Sequence, residues 1–485
     1  MGKDTIMRVL LSFLWIALLV GFLFAQSAED AVNLVEDEQG FGLRATALGN
    51  AYIGVADDYS AIYWNPAGLA QITIGQFSTS ISNVKFQSDA LFLGSNTSES
   101  QTNTKFQSIG LVIPFPVVRG SFVMALGYQR IKDFDNYVKY RGYNAGSNNL
   151  AFDIENDLDY FGLLPFDEQL QLGQTIASEG HFSQWSMALA MDMSPNFSAG
   201  LTISLYDGRS DYSLDYSQDD VNAYNSYDIF DQNNVKFAEF YYNYYDYQQR
   251  VKSEFSGYEF KLGGLFRIIP ERLRAGAVIA FPMNLKVNED WSFRDDLSYD
   301  VVMNGTTYEF NETLFDDSGV FDYIIKIPFK FSAGLSFNYS LLMVSAAVDY
   351  RDWSQLKYDI PDDRPREEYN DLLNQNKFFK EDFRAVTSYS LGAEINLLRS
   401  ALALRGGFRF VPSAFKEAGS DYDKKYYSAG LGYKVDARTM IDVSYVRGSW
   451  NRDKFYAYDW DADPMQTSEK YQSDKLLVGA RFFFK

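Results

Sequence analysis

Between Tyr323 and Phe337 every second residue of the chain is apolar, and no other feature limits its fold so strongly. Tyr323, Ile325, Ile327, Phe329, Phe331, Ala333, Leu335 and Phe337 share one face, against Ile324, Lys326, Pro328, Lys330, Ser332, Gly334 and Ser336 on the other. A period of two is that of a β-strand, and a charged face needs water while an apolar one needs hydrocarbon or a core. The run exceeds the usual globular strand of about 5–6 residues but suits a tilted membrane crossing with an extension beyond it. The rhythm recurs in residues 185–193, 275–287, 402–410 and 427–435, where Trp185, Met187, Leu189, Met191 and Met193 oppose Ser186 and Asp192 in the first of these.

The links between such runs alternate in length. Short ones fall at Val117–Gly120, Ser194–Asn196, Ile269–Arg272, Tyr339–Leu341, Leu398–Ser400 and Asp436–Arg438. Longer polar stretches separate them: Gln87–Thr104, Asp133–Gly180, Gln218–Gln249, Asp295–Asp322, Lys357–Asp382, Pro412–Lys424 and Asp453–Ser473. Short turns on one side and long loops on the other describe an outer-membrane barrel, and pairing them gives roughly fourteen strands, an even number as in single-chain bacterial barrels. The expected fold class is therefore an all-β transmembrane barrel of antiparallel strands. A barrel must close to satisfy its edges in lipid, so residues 72–485 form one domain.

Composition supports this. Aromatic residues make up 17% of the 485, with 35 Tyr and 40 Phe, while mean hydropathy is only −0.25. Alternating strands hide the membrane signal in this way, and no long apolar run follows the first 25 residues. Cysteine is absent, which excludes disulfides and an acylated N-terminal Cys. The net charge of −20 opposes a nucleic-acid partner and is expected to sit in solvated loops.

Lys3 and Arg8 precede the apolar run Val9–Phe24, followed by Ala25-Gln26-Ser27-Ala28. This is the layout of a secretory signal peptide over residues 1–26, cleaved between Ala25 and Ala28. Between it and the first strand lies a Gly/Ala-rich segment, residues 27–71, which includes Gly-Leu-Arg-Ala-Thr-Ala-Leu-Gly-Asn-Ala and ends on Trp64-Asn65-Pro66-Ala67-Gly68. Small residues spaced this way suit short helices packed in a narrow space.

That segment resembles the N-terminal hatch of the FadL/TodX outer-membrane transport family, in which an Asn-Pro-Ala motif closes the hatch before a barrel of about fourteen strands. The resemblance implies a small helical hatch plugging the lumen, with Asn65, Pro66, Ala67 and Gly68 as its motif. It also implies passive uptake of hydrophobic compounds such as long-chain fatty acids across the bacterial outer membrane, with sideways exit at the third strand, here about Gly120–Lys132. The last strand, with Gly479, Phe482 and Phe484, resembles the C-terminal recognition signal of outer-membrane barrels, although it ends on Lys485. The hatch is equally similar to that of PorV-type proteins, which bind secreted proteins for a type IX secretion system. The implied partners are a hydrophobic small molecule or fatty acid and outer-membrane lipid, with an outer-membrane protein partner under the PorV alternative.

No nucleophile–base arrangement stands out; His181 is the single histidine, and neither a cofactor nor a metal is expected. Alternation places Arg267, Lys326, Lys330, Arg405, Arg409 and Arg481 in the lumen, together with Asp192, Asp349, Glu394 and Asp442. Two readings stay open: a network of ion pairs that holds the hatch, or one or two cations that grip a ligand carboxylate. In the second, the tail would lie against Ile53, Val55 and Ile62. Pro282 and Pro328 mark a bulge or a gap in two adjacent strands. The Tyr-rich stretch Phe237–Tyr247 reads as an external loop, either self-packed or a landing site for apolar substrate. Asp459-Trp-Asp-Ala-Asp463 reads as a solvated loop or a Ca²⁺ loop.

Overall fold

The computed structural model describes residues 27–36, 40–147, 150–155, 161–230, 235–397, 401–455 and 466–485; the signal sequence, the Leu398–Ser400 link and the Asp459–Asp463 stretch lie outside them. Fourteen antiparallel strands form a closed barrel. They are β1 (Gly75–Phe92), β2 (Ser95–Phe115), β3 (Phe122–Asp133, continued by Asn136–Asn144), β4 (Leu170–Ser194), β5 (Phe197–Asp219), β6 (Lys236–Ile269) and β7 (Leu273–Ala280 and Met283–Met303). The others are β8 (Thr306–Ile327 and Lys330–Tyr339), β9 (Leu342–Asp352), β10 (Ala385–Leu397), β11 (Leu402–Val411), β12 (Lys424–Lys434), β13 (Thr439–Phe455) and β14 (Gln466–Phe484). Closure is made by β14 on β1, from Gly75 opposite Phe484 to Leu91 opposite Ser468.

Outward-facing Trp185, Tyr258, Tyr350, Tyr389 and Tyr427 form an upper aromatic row, and Phe266, Phe337, Tyr433, Phe482 and Phe484 a lower one. Such girdles flank the apolar band of a transmembrane barrel. Several stretches expected as loops are instead continuations of the wall. Gln87–Thr104 and Asp295–Asp322 are hairpins, and Phe237–Tyr247 lies within β6 with Tyr242, Tyr245 and Tyr247 buried. Outside the membrane the pleat still alternates, but water is now the outer solvent, so aromatic rings turn inward. They build a core with Phe92, Tyr140, Phe166, Phe240 and Tyr299.

The proline pair marks where two strands make that change. Below it, Ile279, Phe329, Phe331 and Leu335 face outward; above it, Met283, Leu285, Val287, Tyr323, Ile325 and Ile327 are buried inside. Ala280 opposes Lys330 and Met283 opposes Ile327, so β7 and β8 keep a common register and turn over together at Phe281-Pro282 and Pro328-Phe329. The neighbouring β6 spans the break with one residue fewer, since Lys261 opposes Ala280 whereas Ser256 opposes Lys286. This is the two-against-one count of a bulge, at residues that cannot donate to the ladder. The single continuous face expected for Tyr323–Phe337 is thus corrected. So is the lumenal placement of Lys326, which lies on the exposed face and pairs with Asp359.

Inside the barrel, α1 (Ala28–Val35) starts on a capping box between Ser27 and Asp30 and packs its Ala31, Val32 and Val35 into an upper core with Leu285, Tyr358 and Phe379. Tyr358 OH donates to Ser27 O at 2.9 Å, and Lys132, Lys424 and Arg452 tie the remainder of the segment to the wall. Glu289 is buried in the same core, accepting from Tyr323 OH at 2.9 Å and Ser253 Oγ at 3.1 Å. Burial pushes its carboxyl up to about 7, against an ordinary value of 4.5. A folded carboxyl that keeps its proton longer than the unfolded one costs nothing below pH 4.5, and its destabilisation grows from there to pH 7. Glu289→Gln should therefore raise the thermal midpoint relative to the parent at pH 8 and leave it unchanged at pH 4, as followed by near-UV circular dichroism.

Candidate functional site

Below α1 the chain winds through the barrel as α2 (Leu43–Ala47), α3 (Ala61–Trp64) and a 3₁₀ turn (Pro66–Gln71). Its backbone reaches the wall at inward glycines: Gly407 meets Gly49, Gly276 meets Ile53 and Gly200 meets Pro66, each so closely that a Cβ would collide. Asn65 explains its place in the motif. Its Nδ2 donates to Ile53 O at 2.9 Å and to wall residue Gly264 O at 3.1 Å, while its Oδ1 caps the turn by accepting from Ala67 N. Pro66 occupies the first position of that turn, where its missing N–H is not needed. Gly68 lies against Ala56 O with no room for a side chain.

Two of the expected lumenal cations, Arg405 and Arg481, join Arg44 of this segment in a chain of ion pairs. Arg44 donates to both carboxylate oxygens of Glu394 at 2.7 and 2.9 Å and also pairs with Asp57. Arg405 joins Glu394 at 2.7 Å to Asp442 at 2.6 Å. Arg481 joins Asp442 at 2.9 Å to Asp58 at 3.3 Å. The chain of charges leaves the N-terminal segment at Asp57 and returns to it at Asp58. Arg267 lies apart, at a short turn, paired with Asp192 at 3.0 Å.

Above the segment lies a cavity with an empty volume of about 780 Å³, its mouth included. Leu34, Val35 and Glu36 cover it, and Ile53, Tyr63 and Trp64 form its floor. The wall contributes Ile131, Phe182, Tyr206, Val278, Ala280, Met283 and Ile327, along with Lys132, Glu259, Lys261, Lys330, Ser332, Asp349 and Arg351. It thus abuts the turnover of β7 and β8. Of the expected tail contacts only Ile53 lines it; Val55 and Ile62 are buried elsewhere in the packed segment.

The polar side of the cavity is not evenly neutralised. Lys261 pairs with Glu259 at 3.1 Å and stands 4.3 Å over the Tyr63 ring. Asp349 accepts from Arg409 at 2.9 Å and Ser332 at 2.6 Å, with Lys330 at 4.0 Å. Arg351, cross-strand partner of Lys330, is only 9% exposed. Its Nε has no hydrogen-bond partner, and its guanidinium makes no ion pair among the described residues, resting 5.2 Å over the Trp353 ring. Sequence reading missed Arg351, although a period of two from Asp349 puts both on one face.

Residues 325–480 match the family described as "Outer membrane protein transport protein (OMPP1/FadL/TodX)". No curated protein matches the chain. Among solved structures the fold is similar to that of a FadL homologue of Pseudomonas aeruginosa, at 12% identity and a TM-score of 0.56, covering 93% of this chain and 99% of that one. It is also similar to the P. putida toluene transporter TodX, at 12% identity and a TM-score of 0.52, covering 92% and 99%. The sequence match thus lies in the second half of the barrel, residues 325–480, and the fold is similar nearly end to end to those of the two solved proteins.

Proposed function

We propose that the protein takes up an apolar acid such as a long-chain fatty acid, holding its carboxylate at Arg351 and its tail among Phe182, Met283 and Ile327, with residues 27–71 as the plug that both covers and floors the cavity. Arg351 carries the reading. A buried cation without a counter-ion is costly unless a ligand supplies one, and a guanidinium matches a carboxylate in two parallel hydrogen bonds. Lys330, the cross-strand neighbour of Arg351, brings a second cation to this side of the cavity, 4.0 Å from Asp349. Family members described as transporters favour uptake over the secretion-shuttle alternative.

Purified protein should bind oleate about tenfold or more tightly than methyl oleate, the difference expected for one charge-assisted contact of about 1.5 kcal/mol or above. Titration calorimetry in detergent reads this directly. Equal affinity for acid and ester would remove Arg351 as the anchor and favour a neutral hydrocarbon, as the name of the toluene transporter suggests for that relative.

A further inference from the structure

We infer that the upper edge of β8 is a docking site for an extended basic segment of a partner protein, which adds to the wall as one more strand; this is independent of what the cavity holds. From Thr306 to Phe321, β8 is paired on one side, with β7, running from Thr306 opposite Met303 to Phe321 opposite Glu289. On its other side a ladder begins at Ile324, with the short strand Lys357–Asp359, and Tyr369 and Arg364 reach Asp322 just above it. Beyond Asp322 no strand covers that side among the described residues. At about 3.3 Å per residue, residues 306–321 leave an edge of roughly 50 Å, with backbone N–H and C=O groups open to pairing.

The packing across the strands stops at the same edge. Phe240 of β6 stacks on Tyr299 of β7 with centroids 5.3 Å apart, and Tyr299 stacks on Phe310 of β8 at 5.1 Å. Lower down, Phe293 of β7 stacks on Phe315 of β8 at 4.8 Å. Phe310 and Phe315 end these rows and are only partly buried. Cross-strand aromatic pairs stabilise neighbouring strands, so a strand laid on this edge finds two rings to continue. Tyr308, Leu314 and Val320 add apolar surface, being 43, 41 and 74% exposed.

Charge selects the occupant. Between Thr306 and Asp322 the chain carries Glu309, Glu312, Asp316, Asp317 and Asp322 and no basic residue. Arg294 reaches Asp316 and Arg364 reaches Asp322, whereas Glu309 and Asp317 make no ion pair among the described residues. A second copy of this edge would set acid against acid, and like charges on neighbouring strands are destabilising. The complementary occupant is a strand whose lysines or arginines meet these carboxylates while its apolar residues meet Phe310 and Phe315. Main-chain hydrogen bonds then supply affinity, and the side-chain pattern supplies selectivity.

The test uses purified protein in detergent and a fluorescently labelled peptide that alternates lysine with valine and phenylalanine. Two further forms are N-methylated at alternate backbone nitrogens, one for each set. Methylation keeps the charge and side chains but removes ladder donors, so at least one form should bind about tenfold or more weakly. Hydrogen–deuterium exchange should show residues 306–321 protected about tenfold or more when the unmodified peptide is added. The double variant Glu309→Lys, Asp317→Lys, checked for heat-modifiable migration as a folded barrel, should lose affinity for the lysine peptide and gain it for a glutamate counterpart, each by about tenfold. The docking edge is overturned if the parent does not bind the lysine peptide, if neither methylated form is weakened, or if protection falls on another part of the wall. Unchanged preference for the lysine peptide in the folded variant would overturn it as well, and the arms on the parent protein decide the matter should that variant not fold.

Discussion

Arg351→Ala should weaken oleate binding by about 10- to 100-fold, the equivalent of about 1.5–3 kcal/mol for a hydrogen bond to a charged group, while leaving methyl oleate unaffected. Arg351→Lys should recover only part of the loss, because an ammonium keeps the charge and gives up the planar two-point contact. The fold should not suffer. Arg351 has no ion-pair partner among the described residues, so its removal leaves no carboxylate stranded, and relief of a buried unpaired charge is neutral or favourable. Calorimetric titration of the three proteins, each with its thermal midpoint, checks both halves. Unchanged oleate affinity in Arg351→Ala would place the carboxylate elsewhere in the cavity, with Lys330 the next candidate.

Arg405→Ala should do the reverse, costing stability and not ligand recognition. Both of its carboxylate partners, Glu394 and Asp442, are buried with it. Truncating one member of a buried charge network costs about 3–5 kcal/mol because it leaves its partners uncompensated. The damage should concentrate on the plug. Glu394 would retain Arg44 and Asp442 would retain Arg481, but the arc joining Asp57 to Asp58 would be cut in the middle. Limited proteolysis should then release residues 27–71 before the wall is attacked, and the temperature at which the barrel loses its compact gel migration should fall. A variant as resistant as the parent would show that the plug is held by its glycine contacts and Asn65.

Much of the fold was legible because a transmembrane barrel writes its rules into spacing. Met187, Leu189 and Met191 announce a lipid face, short turns such as Ser194–Asn196 fix the pairing, and the Gly/Ala-rich stretch announces something packed within. Composition misled above the membrane, where Tyr242, Tyr245 and Tyr247 were read as a loop. Alternation reveals that a strand has two faces but not which solvent each one meets, and the solvents exchange partway along β7 and β8. Lys326 was misplaced for that reason. The cavity could not be seen at all. Arg351 gains its interest from what is missing around it, and a missing partner is a property of packing among β8, β9 and the Trp353 turn. The ionic arc through Arg405 was only half visible, since Arg44, its link to the plug, was not among the cations considered.

The turnover at Pro282 and Pro328 has a consequence for how the molecule floats. Below those residues the exterior is built for hydrocarbon and above them for water, so the two prolines draw a waterline on this side of the barrel. A strand rises about 3.3 Å per residue, so relocating the turnover by two residues on both strands would move that line by roughly 6.6 Å along them. The neighbouring strands, whose aromatic rows would stay where they are, would then demand a different immersion depth. The paired prolines act as a draught mark, matching this flank to the level at which the other strands ride in the bilayer and keeping the mouth of the cavity at the membrane's outer edge.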